Sequence, residues 1–292
     1  QRKLLTLLGL GIAYGASVGS MATIMGSAAN AVASGFLEGI GPWSFLDWMT
    51  YGLPSFVITF PLTWWLLMKL AAPDFEEIDL AEVQQKADDQ DGLNAEQREL
   101  LAALGGAIVL WIGGDYFETA LALPDTLMSA TMVGVMAVAY LSVRDLLNWD
   151  DVKGVSWGVF LIIGAGLSLG EVLVRTETTN WLAQLVVPVI ESAPYWVTLV
   201  ILVYASALLT NLLNNTTIAA VFVPILIEIA RVHPDLEPIQ LVLPITLATT
   251  FGYSLPSASG RMSLIAASGI VDRKSMFTNG LIVTFFSSAL LA

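Results

Sequence analysis

The chain of 292 residues is 56% apolar and only 13% charged, with a mean hydropathy of +0.74, which excludes an ordinary soluble domain and implies an all-α polytopic membrane protein. Without cysteine, and with the single His233 beside Pro234 and Asp235 in a polar connection, neither disulfide nor thiolate, redox or zinc chemistry is expected, and no cofactor is called for. The net charge of −13 gathers largely between residues 74 and 99, and no basic stripe offers itself to nucleic acid.

Gln1-Arg2-Lys3 leads straight into an apolar run without an initiating Met or a cleavable signal, so the sequence reads as a fragment or a processed chain. Apolar spans are expected near 4–36, 52–72, 98–117, 126–143, 155–174, 195–230, 238–270 and 277–292. The first carries Gly9, Gly11, Gly15, Gly19 and Gly26 with Ser17, Ser20, Ser27 and Asn30, and reads as a broken helix within 1–36. A helix and its connection follow over 37–73, then an acidic connector over 74–97 that serves as a solvated linker. Asn94-Ala95-Glu96-Gln97 reads as the N-cap and N3 partner that start the next helix. Residues 98–154 supply further membrane helices, and 155–194 a Gly-rich helix with an outer interfacial segment.

The stretch 195–230 holds Asn214-Asn215-Thr216-Thr217 at the centre of an uncharged apolar run, Leu209–Pro224. Unpartnered polar groups in hydrocarbon cost several kcal/mol, so these must face protein, water or a bound ion. A long apolar run with a polar centre reads as two half-helices meeting at a tip, a re-entrant hairpin. The next segment, 238–270, is broken at mid-depth by Leu255-Pro256-Ser257-Ala258-Ser259-Gly260-Arg261, and 277–292 begins a last helix. If the hairpin enters and leaves on the outer side, Arg2, Lys3, Lys86, Arg98, Arg144, Lys153, Arg273 and Lys274 fall inside and only Arg175 and Arg231 outside.

Half-helix ends inside a membrane present N–H groups that bind anions and C=O groups that bind small cations. Asn and Thr add neutral oxygens suited to sodium and N–H or O–H donors suited to a carboxylate or sulfate. A coupled sodium and anion site follows, with interhelical hydrogen-bond glue as the competing reading. The Asn-x-Thr sequons at Asn214 and Asn215 are a weaker alternative, since glycosylation acceptors belong on exposed loops.

These residues resemble the divalent anion/sodium symporters, a family that includes bacterial dicarboxylate and citrate transporters and relatives that carry sulfate. That family repeats, in inverted orientation, a Ser-Asn-Thr hairpin tip followed by a broken helix with Gly/Ala-Thr/Ser-Pro-Pro-Asn. Asn214-Asn215-Thr216 resembles the second tip with Asn for Ser. Gly26-Ser27-Ala28-Ala29-Asn30 resembles the first broken-helix motif without its prolines, and Ala258-Ser259-Gly260-Arg261-Met262 keeps the first two positions of the second. Over nearly the whole chain, including the Trp157-Gly158-Val159 start of the Gly-rich helix, the resemblance covers roughly the last three fifths of a family member; the first tip is not in this sequence. It implies a sodium site at Thr210, Asn215 and Ala258, Thr210 and Ala258 through backbone oxygens. Gly26 corresponds to a backbone ligand of a second, incomplete site. Ser27, Asn214, Asn215, Thr216 and Ser259 correspond to substrate-holding groups.

Arg261 replaces a family Pro; a guanidinium at membrane depth either meets the anionic substrate, or snorkels or pairs with Asp115 or Glu171. The resemblance implies an elevator-type symporter of C4-dicarboxylates, citrate or sulfate, a homodimer in the bacterial inner membrane, and no enzyme. A channel or a sodium-independent exchanger is the alternative. Gly113-Gly114-Asp115 fits an intramembrane aspartyl protease poorly, because Ile112 stands at the required first glycine and no second Asp pairs with it. Gly11, Gly15 and Gly19, like Gly164, Gly166 and Gly170, read as close-packing ladders, and Trp64, Trp65, Trp149, Trp157, Trp181 and Trp196 as an interfacial belt.

Overall fold

The computed structural model describes residues 2–71, 85, 92–124, 127–155, 157–191, 194–232 and 236–292. Most of the acidic connector and His233 lie outside these residues. Among those described, all regular structure is helical. The chain divides into two compact units, one of Gln1–Trp43, Asp47–Asp74 and Trp157–Ala292, the other of Ser44–Leu46 and Phe75–Ser156.

In the larger unit the chain begins with α1 (Arg2–Gly19), breaks, passes through a 3₁₀ turn at Ile24–Gly26 and resumes as α2 (Ala28–Glu38). The long α3 (Phe45–Ala71) carries Pro54 and Pro61 inside it. Between residues 157 and 191 there are two helices, α7 (Trp157–Arg175) and α8 (Thr178–Glu191), where the sequence suggested one helix and an interfacial stretch. Helices α9 (Tyr195–Leu212) and α10 (Asn215–Val232) meet across Leu213 and Asn214. Each limb has 18 residues, hence is about 27 Å long, close to a full hydrocarbon thickness and longer than the half-helices expected. Then come α11 (Pro238–Ala248), a second break with 3₁₀ turns at Thr249–Phe251 and Pro256–Ala258, α12 (Gly260–Ser268), and α13 (Arg273–Leu291).

Helix α10 is the hub of this unit, packing against α2, α7, α8 and α11. Its buried residues Ile218, Ala219, Val223, Leu226, Ile227 and Ala230 recur at helical spacing, so one stripe meets protein. Lipid tails are as apolar as leucine, so this packing rests on close fit rather than on apolar burial. Small residues provide that fit. A Cβ built on Gly166 would stand 2.7 Å from the Ala220 side chain, and one on Gly170 would stand 2.2 Å from the Phe36 ring. Gly11 and Gly15 receive Leu67 and Phe60 at van der Waals distance, whereas Gly19 and Gly164 face open space. All six tryptophans assigned to a belt are exposed, between 49% and 69%.

The smaller unit is built on α4 (Ala95–Leu121) and α5 (Ala130–Val143), which pack together, followed by the short α6 (Trp149–Gly154). Asn94 starts α4 with a complete capping box, accepting from Gln97 N at 2.7 Å while Gln97 Oε1 accepts from Asn94 N at 3.0 Å. The Glu118 carboxylate accepts from Met128 N at 2.6 Å and holds the turn into α5, and Arg144 pairs with Glu99. Glu118 and the Gly113-Gly114 pair thus belong to a helix–helix turn, where Gly114 approaches the Met128 carbonyl.

Candidate functional site

The elbow between α9 and α10 forms because an apolar helix runs into three polar side chains able to replace its lost backbone bonds. Asn214 Oδ1 accepts from Thr216 N at 2.9 Å and opens α10, which is the capping use of a short amide. Asn214 itself is exposed, whereas Asn215 and Thr216 are buried at 6% each. One turn earlier, the fully buried Thr210 hydroxyl bonds Asn215 Oδ1 and also lies 3.1 Å from the Thr249 carbonyl. That hydroxyl ties both limbs of the elbow to the end of α11.

The second break folds onto this elbow. Threonine hydroxyls back-bond the last turn of α11, Thr249 to Thr246 O at 2.6 Å and Thr250 to Leu247 O at 2.7 Å. They add a second donor to two carbonyls that already accept from the Thr249 backbone N–H. Ser206 in α9 donates to Ile245 O at 2.9 Å. The chain then passes Gly252, where a Cβ would lie 2.8 Å from the Ala258 Cβ and 3.3 Å from the Thr210 carbonyl, so only glycine permits this approach. Thr210, Asn215 and Ala258, predicted as one sodium site, therefore converge. They present hydroxyl, amide and backbone oxygens without a carboxylate, and no cluster of three or more His, Cys, Asp or Glu suited to a metal occurs among the described residues. Such neutral oxygens fit a weakly held monovalent hard cation. Thr210, Asn215 and Ala258 would hold it, with Thr249 O adjacent.

Asn211 went unnoticed in the sequence. It is 5% exposed, and its Oδ1 accepts from Ser254 N at 2.8 Å while its carbonyl accepts from the Ser257 hydroxyl at 3.0 Å. Its Nδ2 donates to Ala207 O at 2.7 Å. Asn211 thereby pins the unwound segment between Gly252 and Ala258 to α9. The available signal was an uncharged amide three residues before the Asn214-Asn215 pair in an otherwise apolar run.

Ser259 begins α12 by accepting from Met262 N at 3.4 Å. At the first break Ser27 begins α2 in the same way, accepting from Ala29 N at 3.3 Å, and both serines have extended backbone after a 3₁₀ turn. Asn30, wholly buried, donates through Nδ2 to Ser20 O at 2.8 Å and Thr23 O at 2.9 Å. Gly26 is required there, since a Cβ would fall 2.2 Å from the Ser20 carbonyl oxygen. Among the described residues no hydrogen bond joins Gly26 or Ser27 to the Thr210 cluster, so the predicted substrate serines stand at separate breaks.

Arg261, the second residue of α12, is half-buried and donates from Nη1 to Ala16 O in the last turn of α1, at 3.3 Å. The alternative pairing with Glu171 is not made: that carboxylate accepts from Arg175 Nε at 2.8 Å, one helical turn away on α7. The Asp115 side chain lies outside the described residues.

The family model described as sodium:sulfate symporter transmembrane region matches residues 1–292. The chain belongs to that family of membrane transporters. It is 27% identical over 99% of its length to an uncharacterised transporter of Methanocaldococcus jannaschii, covering 63% of that relative. It is 25% identical to the sodium-dependent low-affinity dicarboxylate transporter 1 of Caenorhabditis elegans, over 97% of the chain and 54% of the relative. It is 23% identical to a sodium-dependent dicarboxylate transporter of Staphylococcus saprophyticus, over 95% of the chain and 56% of the relative. The family chain thus spans less than two thirds of the length of these relatives.

Proposed function

We propose that the protein is a sodium-coupled symporter of small divalent anions such as C4-dicarboxylates, citrate or sulfate. The observation that carries this reading is the junction of Thr210 and Asn215 with the Gly252–Ala258 break, which gathers neutral oxygens where a helix end and an elbow meet. Sodium bound there draws the elbow and the break together. That ordering fixes Asn214, Asn215, Thr216 and Ser259, with Ser27 and Arg261, around the anion. Coupling then has a physical origin: the ion stabilises the arrangement that the anion needs, and by linkage the anion stabilises the ion.

The family membership and the names of the two dicarboxylate-transporting relatives support the substrate class. In this reading α9 and α10 form an outward-entering re-entrant hairpin, half of an inverted-repeat site. The unit that carries it moves in an elevator fashion against a dimeric scaffold in the plasma membrane, the inner membrane if the source is bacterial.

The test is uptake of labelled succinate, citrate and sulfate by the full-length protein in proteoliposomes under an imposed inward sodium gradient. Saturable uptake that rises with the gradient is expected, and its absence for Thr210→Ala and Asn215→Ala together. Saturable uptake of the same size without sodium would assign an exchanger, and ionic current without saturable uptake a channel.

A further inference from the structure

Arg261 poses an electrostatic problem that the hydrogen bonds around it leave open. It stands at the second position of α12, where the helix's own N-terminal N–H groups carry partial positive charge and disfavour a cation. Among the described residues its one hydrogen bond is to Ala16 O, a carbonyl in the C-terminal turn of α1 that carries partial negative charge. Nε is buried without a partner. Among the described residues no ion pair is made by the guanidinium, and Glu171 and Glu228 of the same unit pair with Arg175 and Arg231. Helix-end partial charge and one carbonyl do not neutralise a whole unit charge, so the half-buried guanidinium leaves a surplus of about one positive charge next to Ser259.

We infer that Arg261 is a fixed counter-cation for the transported anion, held in place by Ala16 and doing permanently what a bound sodium ion does reversibly. The inference rests on the symport reading and adds charge accounting to it. A dianion seated at the start of α12 meets one charge from Arg261 and needs only one more, from the cation at Thr210, Asn215 and Ala258. The loaded site is then close to neutral, the state in which a unit crosses hydrocarbon at least cost. The carbonyls of the first break fit this division of labour. Ser20 O and Thr23 O already accept from Asn30, Ser17 O accepts from the Ser20 hydroxyl at 2.6 Å, and Ala16 O accepts from Arg261. Protein donors thus hold the α1 end, where backbone oxygens would otherwise recruit a second ion.

The experiment is the sodium-to-succinate ratio of the full-length wild-type protein in proteoliposomes, read from the reversal potential. One sodium per succinate dianion is expected, and a ratio of two or more would overturn the inference while leaving symport intact. Loss of sodium coupling altogether would instead overturn the symport reading. A second arm compares wild type with Arg261→Gln by succinate binding as a function of pH. In the wild type, affinity is highest where succinate is a dianion. In Arg261→Gln it falls at least tenfold at neutral pH and its optimum moves to acid pH, where the succinate monoanion is balanced by one sodium ion. A variant that melts earlier yet keeps the wild-type pH profile would show that Arg261 only caps α1.

Discussion

The two breaks share a plan and differ in what stabilises them. Both run through a 3₁₀ turn into a serine that caps the next helix, at Ile24–Gly26 with Ser27 and at Pro256–Ala258 with Ser259. The first is closed mainly by its own residues, since Asn30 satisfies two of its carbonyls and its glycine rests on its own Ser20, with one buried bond from outside, Trp48 Nε1 of α3 to Met21 O at 3.0 Å. The second is held from outside, by Asn211 and Thr210 of α9, and reaches back to α1 through Arg261. A break closed by its own side chain is a rigid part. One closed by a neighbouring helix changes when that helix moves, so the second is the natural place for ion and anion binding to be coupled.

Asn30→Asp breaks this contrast most severely. The substitution turns an amide that donates to two carbonyls into a carboxylate facing the same two oxygens, in a site with 0% exposure. Losing both donations and burying an unpaired charge costs about 3–5 kcal/mol, enough to abolish a monodisperse folded peak in detergent. If Asn30→Asp melts within a few degrees of wild type, the first break is not closed by its own asparagine.

Gly252→Ala follows. The added methyl must displace Ala258 or Thr210 from contacts of 2.8 and 3.3 Å, at a cost of about 1–3 kcal/mol. Because it spreads the three predicted sodium ligands, the rise in melting temperature on adding sodium chloride over choline chloride should vanish. Retention of the full sodium shift would separate the cation site from this glycine. Asn211→Ala is next, at about 1–2 kcal/mol, since Ser254 N loses its acceptor and the unwound strand its tether. Hydrogen exchange at residues 252–258 should rise selectively while residues 20–27 keep their protection.

Much of this was legible in the sequence wherever a residue type has few alternatives in a membrane. An uncharged run with Asn214 to Thr217 at its centre could only be an elbow or a packed polar seam, and Gly26 and the Pro256 segment announced breaks in otherwise apolar helices. The Asn94 capping box could be read directly, because it is local. Partners distant in the chain were not legible. Arg261 and Ala16 are 245 residues apart, and nothing in either neighbourhood points to the other. Helix α8 was missed because Pro188 and the polar Thr178-Thr179-Asn180 start disguise its apolar face. Asn211 was passed over because its neighbours in sequence are apolar and its work is done for a segment 43 residues away.

The smallest effects sharpen the comparison most, because they leave the fold in place. Ser27→Ala and Ser259→Ala each remove one capping bond of 3.3 or 3.4 Å, and each should cost about 0.5–1 kcal/mol. If the breaks were equivalent, the two variants would lose succinate affinity equally. In the proposed site they are not equivalent, because Ser259 stands in sequence between Ala258, assigned there to the cation, and Arg261, while Ser27 opens a helix at the other break. At saturating sodium, Ser259→Ala should weaken succinate binding by about tenfold, corresponding to one lost hydrogen bond to a charged group, and Ser27→Ala by only a few fold. The sodium dependence separates them further: Ser259→Ala should also raise the sodium concentration for half-maximal binding, whereas Ser27→Ala should leave it unchanged. Equal shifts in both quantities would mean that the first break senses the cation as directly as the second, and that its closure by Asn30 does not isolate it.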